Sequence, residues 1–183
     1  MSDSIPVINV GPQFNGKASK RMHVMAKPIG AACNLDCDYC YYLSKEDLLD
    51  YKKGCSPKLD DHKLEKFIKD YIQGQNTPQI TFSWQGGEAT MLGIPYFEKI
   101  VEFQKKYQPE GVTISNDLQT NGTLLNDKWC EFLKKNNFLV GLSIDGPELL
   151  HNTYRTNKSG RGTFKQVMKA VELLHKHQVN FAT

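Results

Sequence analysis

The chain has 183 residues, of which 39% are apolar and 23% charged, and its formal charge is +3. Such a chain can bury one sizeable core, so one domain or part of one is expected and a disordered chain is excluded. A charge this small, evenly divided between acid and base, makes no nucleic-acid or membrane footprint, and no run of about eighteen apolar residues is present.

Residues 1–20 show no hydrophobic period and are read as a flexible lead-in to a folded unit over residues 21–183. They are polar and carry Pro6, Gly11 and Gly16 rather than an apolar signal segment, so a cytoplasmic location is expected. A first strand lies within Arg21–Pro28, with Met22, Val24 and Ala26 alternating against His23 and Met25. Cys33, Cys37 and Cys40 follow on a loop at its C-terminal end. After a polar stretch with Gly54, Cys55 and Pro57, a helix places Leu64, Phe67, Ile68, Tyr71 and Ile72 on one stripe.

The second strand, Gln79 to Trp84, is closed by Gly86-Gly87-Glu88, and Tyr96, Phe97, Ile100, Val101 and Phe103 mark the next helix. The third strand, Val112 to Leu118, is closed by Gln119-Thr120-Asn121-Gly122. Asn126 is placed to cap a helix with Trp129, Phe132 and Leu133 inward. Phe138 to Ile144 forms a fourth strand, closed by Asp145-Gly146-Pro147. Thr163 and Gln166 have capping-box spacing before a helix carrying Phe164, Val167, Met168, Val171 and Leu174, and a last strand starts near Val179.

Strand and helix alternating in this way imply an α/β fold of right-handed parallel βα units. Ligands in such folds gather at the carboxyl ends of the strands, where each unusual polar motif of this chain falls. A parallel strand left open near residue 183 is what the front half of a longer protein would show.

Three thiolates spaced Cys-x3-Cys-x2-Cys can hold three irons of a cubane and leave the fourth open to a further ligand. Zinc is the alternative, but structural zinc normally takes four ligands, and only Cys55, Cys130 or a histidine could complete that set. Gln85-Gly86-Gly87-Glu88 lets backbone approach a ligand and offers a carboxylate to an ammonium group, although a Gly-Gly turn opening a helix has the same sequence. Ser143 and Arg155 can reach the same ligand, against the plainer readings of a satisfied core hydroxyl and a solvated charge. Arg161 competes with Arg155. Gln119 and Asn121 either face the cavity or end a strand, Tyr41 and Tyr42 pack the loop, and Cys130, beside Trp129, is a packing residue.

The cysteine spacing after a first strand, with aromatic Tyr39 before the last cysteine, resembles the radical S-adenosylmethionine superfamily. Within it, the run from Lys27 to Tyr42, together with Phe82 to Thr90, Leu118 to Leu124 and Val140 to Pro147, is most similar to the anaerobic sulfatase-maturating enzymes. The resemblance implies the first part of a partial (β/α)6 barrel and a [4Fe-4S] cluster on Cys33, Cys37 and Cys40. It also implies S-adenosylmethionine held by Tyr39, Gln85, Gly86, Gly87, Glu88, Ser143 and Arg155, with Gln119 against the substrate peptide.

The implied reaction is oxidation of a cysteine or serine of a sulfatase to Cα-formylglycine through a 5′-deoxyadenosyl radical, with electrons from a reductant such as flavodoxin or ferredoxin. The resemblance places the rest of the barrel, a carboxylate base and a cysteine-rich domain with two further clusters beyond residue 183. A maturase of another ribosomal peptide and a zinc-stabilised binding module stand as the alternatives.

Overall fold

The computed structural model describes residues 16–18, 20–45 and 58–183. Most of the expected lead-in, and Gly54, Cys55 and Pro57, lie outside the described residues. Ala18, near the end of the lead-in, donates its N–H to the Gly74 carbonyl at 2.7 Å.

Five strands alternate with helices: β1 (Val24–Ala26), α1 (Asp61–Gln73), β2 (Gln79–Trp84), α2 (Ile94–Tyr107), β3 (Thr113–Thr120), α3 (Asp127–Lys135), β4 (Phe138–Leu142), α4 (Glu148–Tyr154), α5 (Phe164–Lys176) and β5 (Asn180–Ala182). The strands lie side by side in chain order, every neighbouring pair parallel. This is the expected α/β arrangement, and it carries all strand exits to one rim.

Local chemistry sets the helix starts. The Asp60 carboxylate accepts the Lys63 N–H at 2.8 Å ahead of α1, and the Asn126 side chain accepts the Trp129 N–H at 3.0 Å ahead of α3. The inward stripes join the strand side chains Phe82, Trp84, Leu118, Val140 and Leu142 in one continuous core. Burying a side chain of this size contributes about 2 to 3 kcal/mol.

Four expectations are corrected. Met22 falls outside β1 and is 45% exposed, because β2 pairs only from Val24 onward. β3 runs on through Gln119 and Thr120, which pair with Gly141 and Leu142, whereas β4 ends at Leu142 and leaves Ser143 and Ile144 beyond it. The polar run before Arg155 is a short helix, α4, and a 3-10 turn spans Ala89–Leu92. Thr163 does not cap α5 with its side chain, since its hydroxyl donates to the Arg155 carbonyl at 3.0 Å. The Phe164 N–H is taken instead by the Asn152 side-chain oxygen at 2.9 Å.

A small polar network is built into the core. Asn116 Oδ1 accepts from Trp84 Nε1 and from Gln104 Nε2, each at 2.8 Å, while Asn116 Nδ2 donates to Gln104 Oε1 at 2.9 Å. Asn116→Leu keeps the volume and orphans both partners, so urea unfolding should show a loss of about 2 kcal/mol.

The opposite face of the sheet is polar. His23 Nε2 lies 2.7 Å from Ser83 Oγ, which donates to Asp117 Oδ2 at 2.6 Å; Thr81 Oγ1 meets Ser115 Oγ at 3.1 Å. These residues alternate with the core residues along β2 and β3, as the two-residue period of a strand requires. Among the described residues no helix is long and apolar enough to cross a membrane.

Candidate metal and cofactor site

The cysteine loop leaves β1 through a turn in which the Gly30 N–H donates to the Lys27 carbonyl at 3.0 Å. Three neighbouring segments then fix it. From the β2 exit, the Gly87 N–H reaches the Gly30 carbonyl at 2.8 Å and the Glu88 N–H reaches the Ala32 carbonyl at 2.9 Å. This close approach needs Gly87: a Cβ there would overlap the carbonyl oxygens of Ala31 and Ala32.

From the β3 exit, Asn121 Nδ2 donates to Asn34 Oδ1 at 3.0 Å and stands 3.9 Å from Cys33 Sγ, while Asn34 Nδ2 donates to Thr123 Oγ1 at 2.9 Å. The third anchor lies more than a hundred positions further along the chain. The Asp36 N–H donates to the Thr156 carbonyl at 2.8 Å and the Asp38 N–H to the Tyr154 carbonyl at 3.0 Å, so the loop pairs with the segment that carries Arg155. Within the loop, the Leu35 N–H points at Cys33 Sγ at 3.4 Å, and the Cys40 N–H closes a turn on the Cys37 carbonyl at 3.0 Å.

Glu88 is 1% exposed. Its Oε1 accepts the Thr90 N–H at 3.0 Å, the Thr90 hydroxyl at 2.6 Å and the Thr120 hydroxyl at 2.8 Å; its Oε2 accepts the Asn121 N–H at 2.7 Å. The carboxylate therefore couples the exits of β2 and β3, and Oε2 keeps one acceptor position. The framework role stands beside the ligand contact expected of Glu88.

Arg155 Nε stands 3.0 Å from Asp145 Oδ2, and the guanidinium lies 5.4 Å from the centre of the Tyr39 ring. The Nε–H is buried and not aligned for a hydrogen bond, so this is an ion pair with an unused donor. The Tyr39 hydroxyl donates to the same Asp145 oxygen at 2.5 Å. Burial, then the Asp145 bond, raises the Tyr39 pKa above its ordinary value. Gln119 Nε2 donates to Ser143 Oγ at 2.9 Å, and a Cβ at Gly141 would collide with the Gln119 amide.

Cys33, Cys37, Cys40, Tyr39, Gln85, Gly86, Gly87, Glu88, Gln119, Ser143 and Arg155 all line one cavity of about 210 Å³, together with Lys27, Tyr41, Tyr42 and Asn121. The residues that the resemblance assigns to the site thus meet at one rim. Arg161 does not line the cavity, and Cys130 is buried on α3, where burial pushes its thiol up to about 11. A larger hollow of about 570 Å³ between α2 and α3 has an apolar floor of Ile94, Val101 and Phe132 rimmed by glutamates and lysines, with no convergent chemistry.

Sequence reading missed Asn34, Asp145 and His151. Nothing local marks Asn34 or His151, and Asp145 has the sequence of a strand-ending turn with Gly146 and Pro147.

The donor set fits an iron-sulfur cluster and a zwitterionic ligand. Burial pushes the Cys33 thiol up and the Cys37 thiol to about 11, opposed at Cys37 by the Arg155 charge, so thiolate there calls for a bound cation. The Arg155 guanidinium and the Gln85-Gly86-Gly87 segment line the same cavity as the thiols, where a cation faces a carboxylate and main-chain carbonyls suit an ammonium group. Among the described residues, no three His, Cys, Asp or Glu side chains converge on a single-ion site.

Residues 28–183 match the family model of the radical SAM superfamily, and the chain belongs to that superfamily. Among its relatives are the serine-type anaerobic sulfatase-maturating enzyme of Bacteroides thetaiotaomicron, 51% identical over 163 residues, and the cysteine-type enzyme of Clostridium perfringens, 41% identical over 160. These matches cover 89% and 87% of this chain but 39% and 42% of the relatives, so the chain spans about two fifths of their length. A solved structure, native anSMEcpe with bound AdoMet and Kp18Cys peptide, superposes with a TM-score of 0.77 at 39% identity, over 87% of this chain and 41% of that one.

Proposed function

We propose that this chain is the cofactor-binding part of a radical S-adenosylmethionine oxidoreductase that converts a cysteine or serine of a sulfatase to Cα-formylglycine. The observation that carries the reading is the meeting, in one cavity, of the thiol loop with the exits of β2, β3 and β4 and with Arg155. Cys33, Cys37 and Cys40 would hold three irons of a [4Fe-4S] cluster. When bound, the cluster and S-adenosylmethionine supply one-electron chemistry able to remove hydrogen from an unactivated carbon.

The protein's own work is binding and orientation. Arg155 brings its guanidinium charge to the cavity wall for a carboxylate, and Ser143, which already accepts from Gln119, has its hydroxyl proton free for a carboxylate or ribose. Gln85, Gly86 and Gly87 present close backbone to an ammonium group, with the spare acceptor of Glu88 Oε2 behind them. Tyr39, held by Asp145, offers an aromatic face to an adenine. Gln119 is placed to meet a peptide.

Relatives of both the serine and the cysteine type support sulfatase maturation and leave either residue as the target. A flavodoxin or ferredoxin is the proposed electron donor, and the reduced thiols suit the cytoplasm.

The test uses the complete natural polypeptide, purified without oxygen and reconstituted with iron and sulfide. Iron and acid-labile sulfide should appear together, dithionite should drive cleavage of S-adenosylmethionine, and a sulfatase peptide with Cys-x-Pro-x-Arg or its serine counterpart should show the mass of formylglycine. A colourless protein holding zinc would refute the enzyme reading. Cleavage without peptide modification would point to another peptide as substrate.

A further inference from the structure

Arg155 stands at the cavity because two segments that separate after β4 are tied together, and the residue that ties them takes no part in the proposed binding. His151, on α4, is 0% exposed, as is Thr163. His151 Nδ1 accepts the main-chain N–H of Asp145 at 3.4 Å. On the other side of the ring, Nε2 lies 3.0 Å from Thr163 Oγ1, and that hydroxyl donates to the main-chain carbonyl of Arg155 at 3.0 Å.

The network fixes the tautomer. An acceptor of an N–H carries no proton, so Nδ1 is bare. Thr163 has one proton and gives it to the Arg155 carbonyl, so Nε2 is the donor to Thr163. Only the neutral Nε2–H imidazole satisfies all three contacts. Burial, and secondarily the Arg155 charge, hold His151 below its ordinary pKa, in keeping with that form.

The two main-chain groups in this network belong to the two members of one ion pair, Asp145 and Arg155, whose side chains meet at the cavity. One imidazole therefore sets both ends of the pair. The neighbouring Asn152 closes the base of the same excursion, accepting the Phe164 N–H at 2.9 Å and packing against Gly162. Leucine and valine would fill the positions of His151 and Thr163 without burying polar atoms. Polar groups here specify a geometry that apolar packing would leave loose.

We propose that His151 is a positioning residue, which acts through Thr163 and the Asp145 main chain to fix Arg155 and so sets the affinity of the cavity for the carboxylate of S-adenosylmethionine. The inference rests on the cofactor reading above. The charged groups facing His151 are Arg155 and Asp145; from the α5 side it meets the uncharged Thr163 and the edge of the Phe164 ring, 5.6 Å away. Protonation puts a hydrogen on Nδ1, which then rejects the Asp145 N–H. Because burial holds His151 below the ordinary imidazole value of about 6.5, affinity should hold through that pH and fall only further to the acid side.

The experiment measures the dissociation constant of S-adenosylmethionine by anaerobic equilibrium dialysis on the complete reconstituted polypeptide, between acid and neutral pH. Iron content and melting temperature are followed in parallel. Thr163→Val, which keeps the shape and removes the hydroxyl, should weaken binding about tenfold at neutral pH with iron content unchanged. His151→Asn, which keeps an acceptor near Nδ1 but does not titrate, should flatten the pH profile. A merely structural role would lower the melting temperature and leave affinity and pH profile of the folded protein alone, and that result overturns the proposal. The profile of the unaltered protein needs no variant: a flat line down to the acid end of that range also overturns it. Failure of the unaltered protein to bind S-adenosylmethionine at neutral pH would instead remove the cofactor reading, and this inference with it.

Discussion

Gly87→Ala should detach the cysteine loop from the second strand, costing about 3 kcal/mol and most of the bound iron. The added Cβ falls on the carbonyl oxygens of Ala31 and Ala32, which are backbone atoms and cannot rotate aside as a side chain would. Relief requires the loop to move, and moving it breaks the bonds from the Gly87 and Glu88 N–H groups to the Gly30 and Ala32 carbonyls. Overpacking of a fitted interior typically costs about 1 to 3 kcal/mol, and a clash with main chain belongs at the upper end. Gly111→Ala is the control. It carries the strain of a positive φ, +75°, which Gly87 does not, but its Cβ meets nothing within 4 Å, so about 1 kcal/mol and full iron content are expected. Urea unfolding of the iron-free chain and iron analysis after reconstitution separate the two. Equal behaviour of the pair would show that the contact between the β2 exit and the cysteine loop does not matter.

Glu88→Ala should be at least as damaging, with a loss of about 4 kcal/mol. The carboxylate receives two main-chain N–H groups and two hydroxyls, all buried. The hydroxyls of Thr90 and Thr120 can turn elsewhere, but the N–H groups of Thr90 and Asn121 point where the chain puts them. Hydrogen bonds to a buried charge contribute about 1.5 to 3 kcal/mol each, and orphaned donors add a desolvation penalty. Glu88→Gln should cost about half as much, because its amide oxygen can replace one carboxylate oxygen while its NH2 group faces another donor. Asn121 also holds Asn34 and approaches Cys33, so both variants should lower iron uptake as well as the urea midpoint. An unchanged midpoint for Glu88→Ala would mean that the β2 and β3 exits are held together by something else.

Much of the rim was legible in the sequence because each strand end is marked by residues with a narrow range of uses. Cysteines at short spacing, a Gly-Gly pair and an Asn-Gly turn are local signals, and the alternation of strands and helices then puts them on the same side of the sheet. The helices that face the core were visible as stripes for the same reason. The short helix α4 was not, since Leu149 and Leu150 point to solvent at 79% and 53% exposure and give no inward stripe. Thr163 was read as a cap from its spacing to Gln166; its hydroxyl serves a histidine twelve residues earlier, which spacing along one helix does not report. Asp145 pairs with Tyr39 across 106 positions, a contact made by the fold as a whole. Glu88 shows the same limit. Its motif marked a ligand contact, while its burial among four donors shows that it also holds the framework together.

The pairing of the thiol loop with the Arg155 segment bears on biosynthesis. Asp36 and Thr156 are bonded across 120 positions, so the loop lacks its last anchor until that much more of the chain has been made. At roughly 5 to 20 residues per second, the ribosome needs on the order of ten seconds for that stretch. During this interval the thiol loop has at most two of its three anchors, those from the second and third strand exits. Its final shape is therefore a late product of synthesis, although its cysteines are among the first residues made.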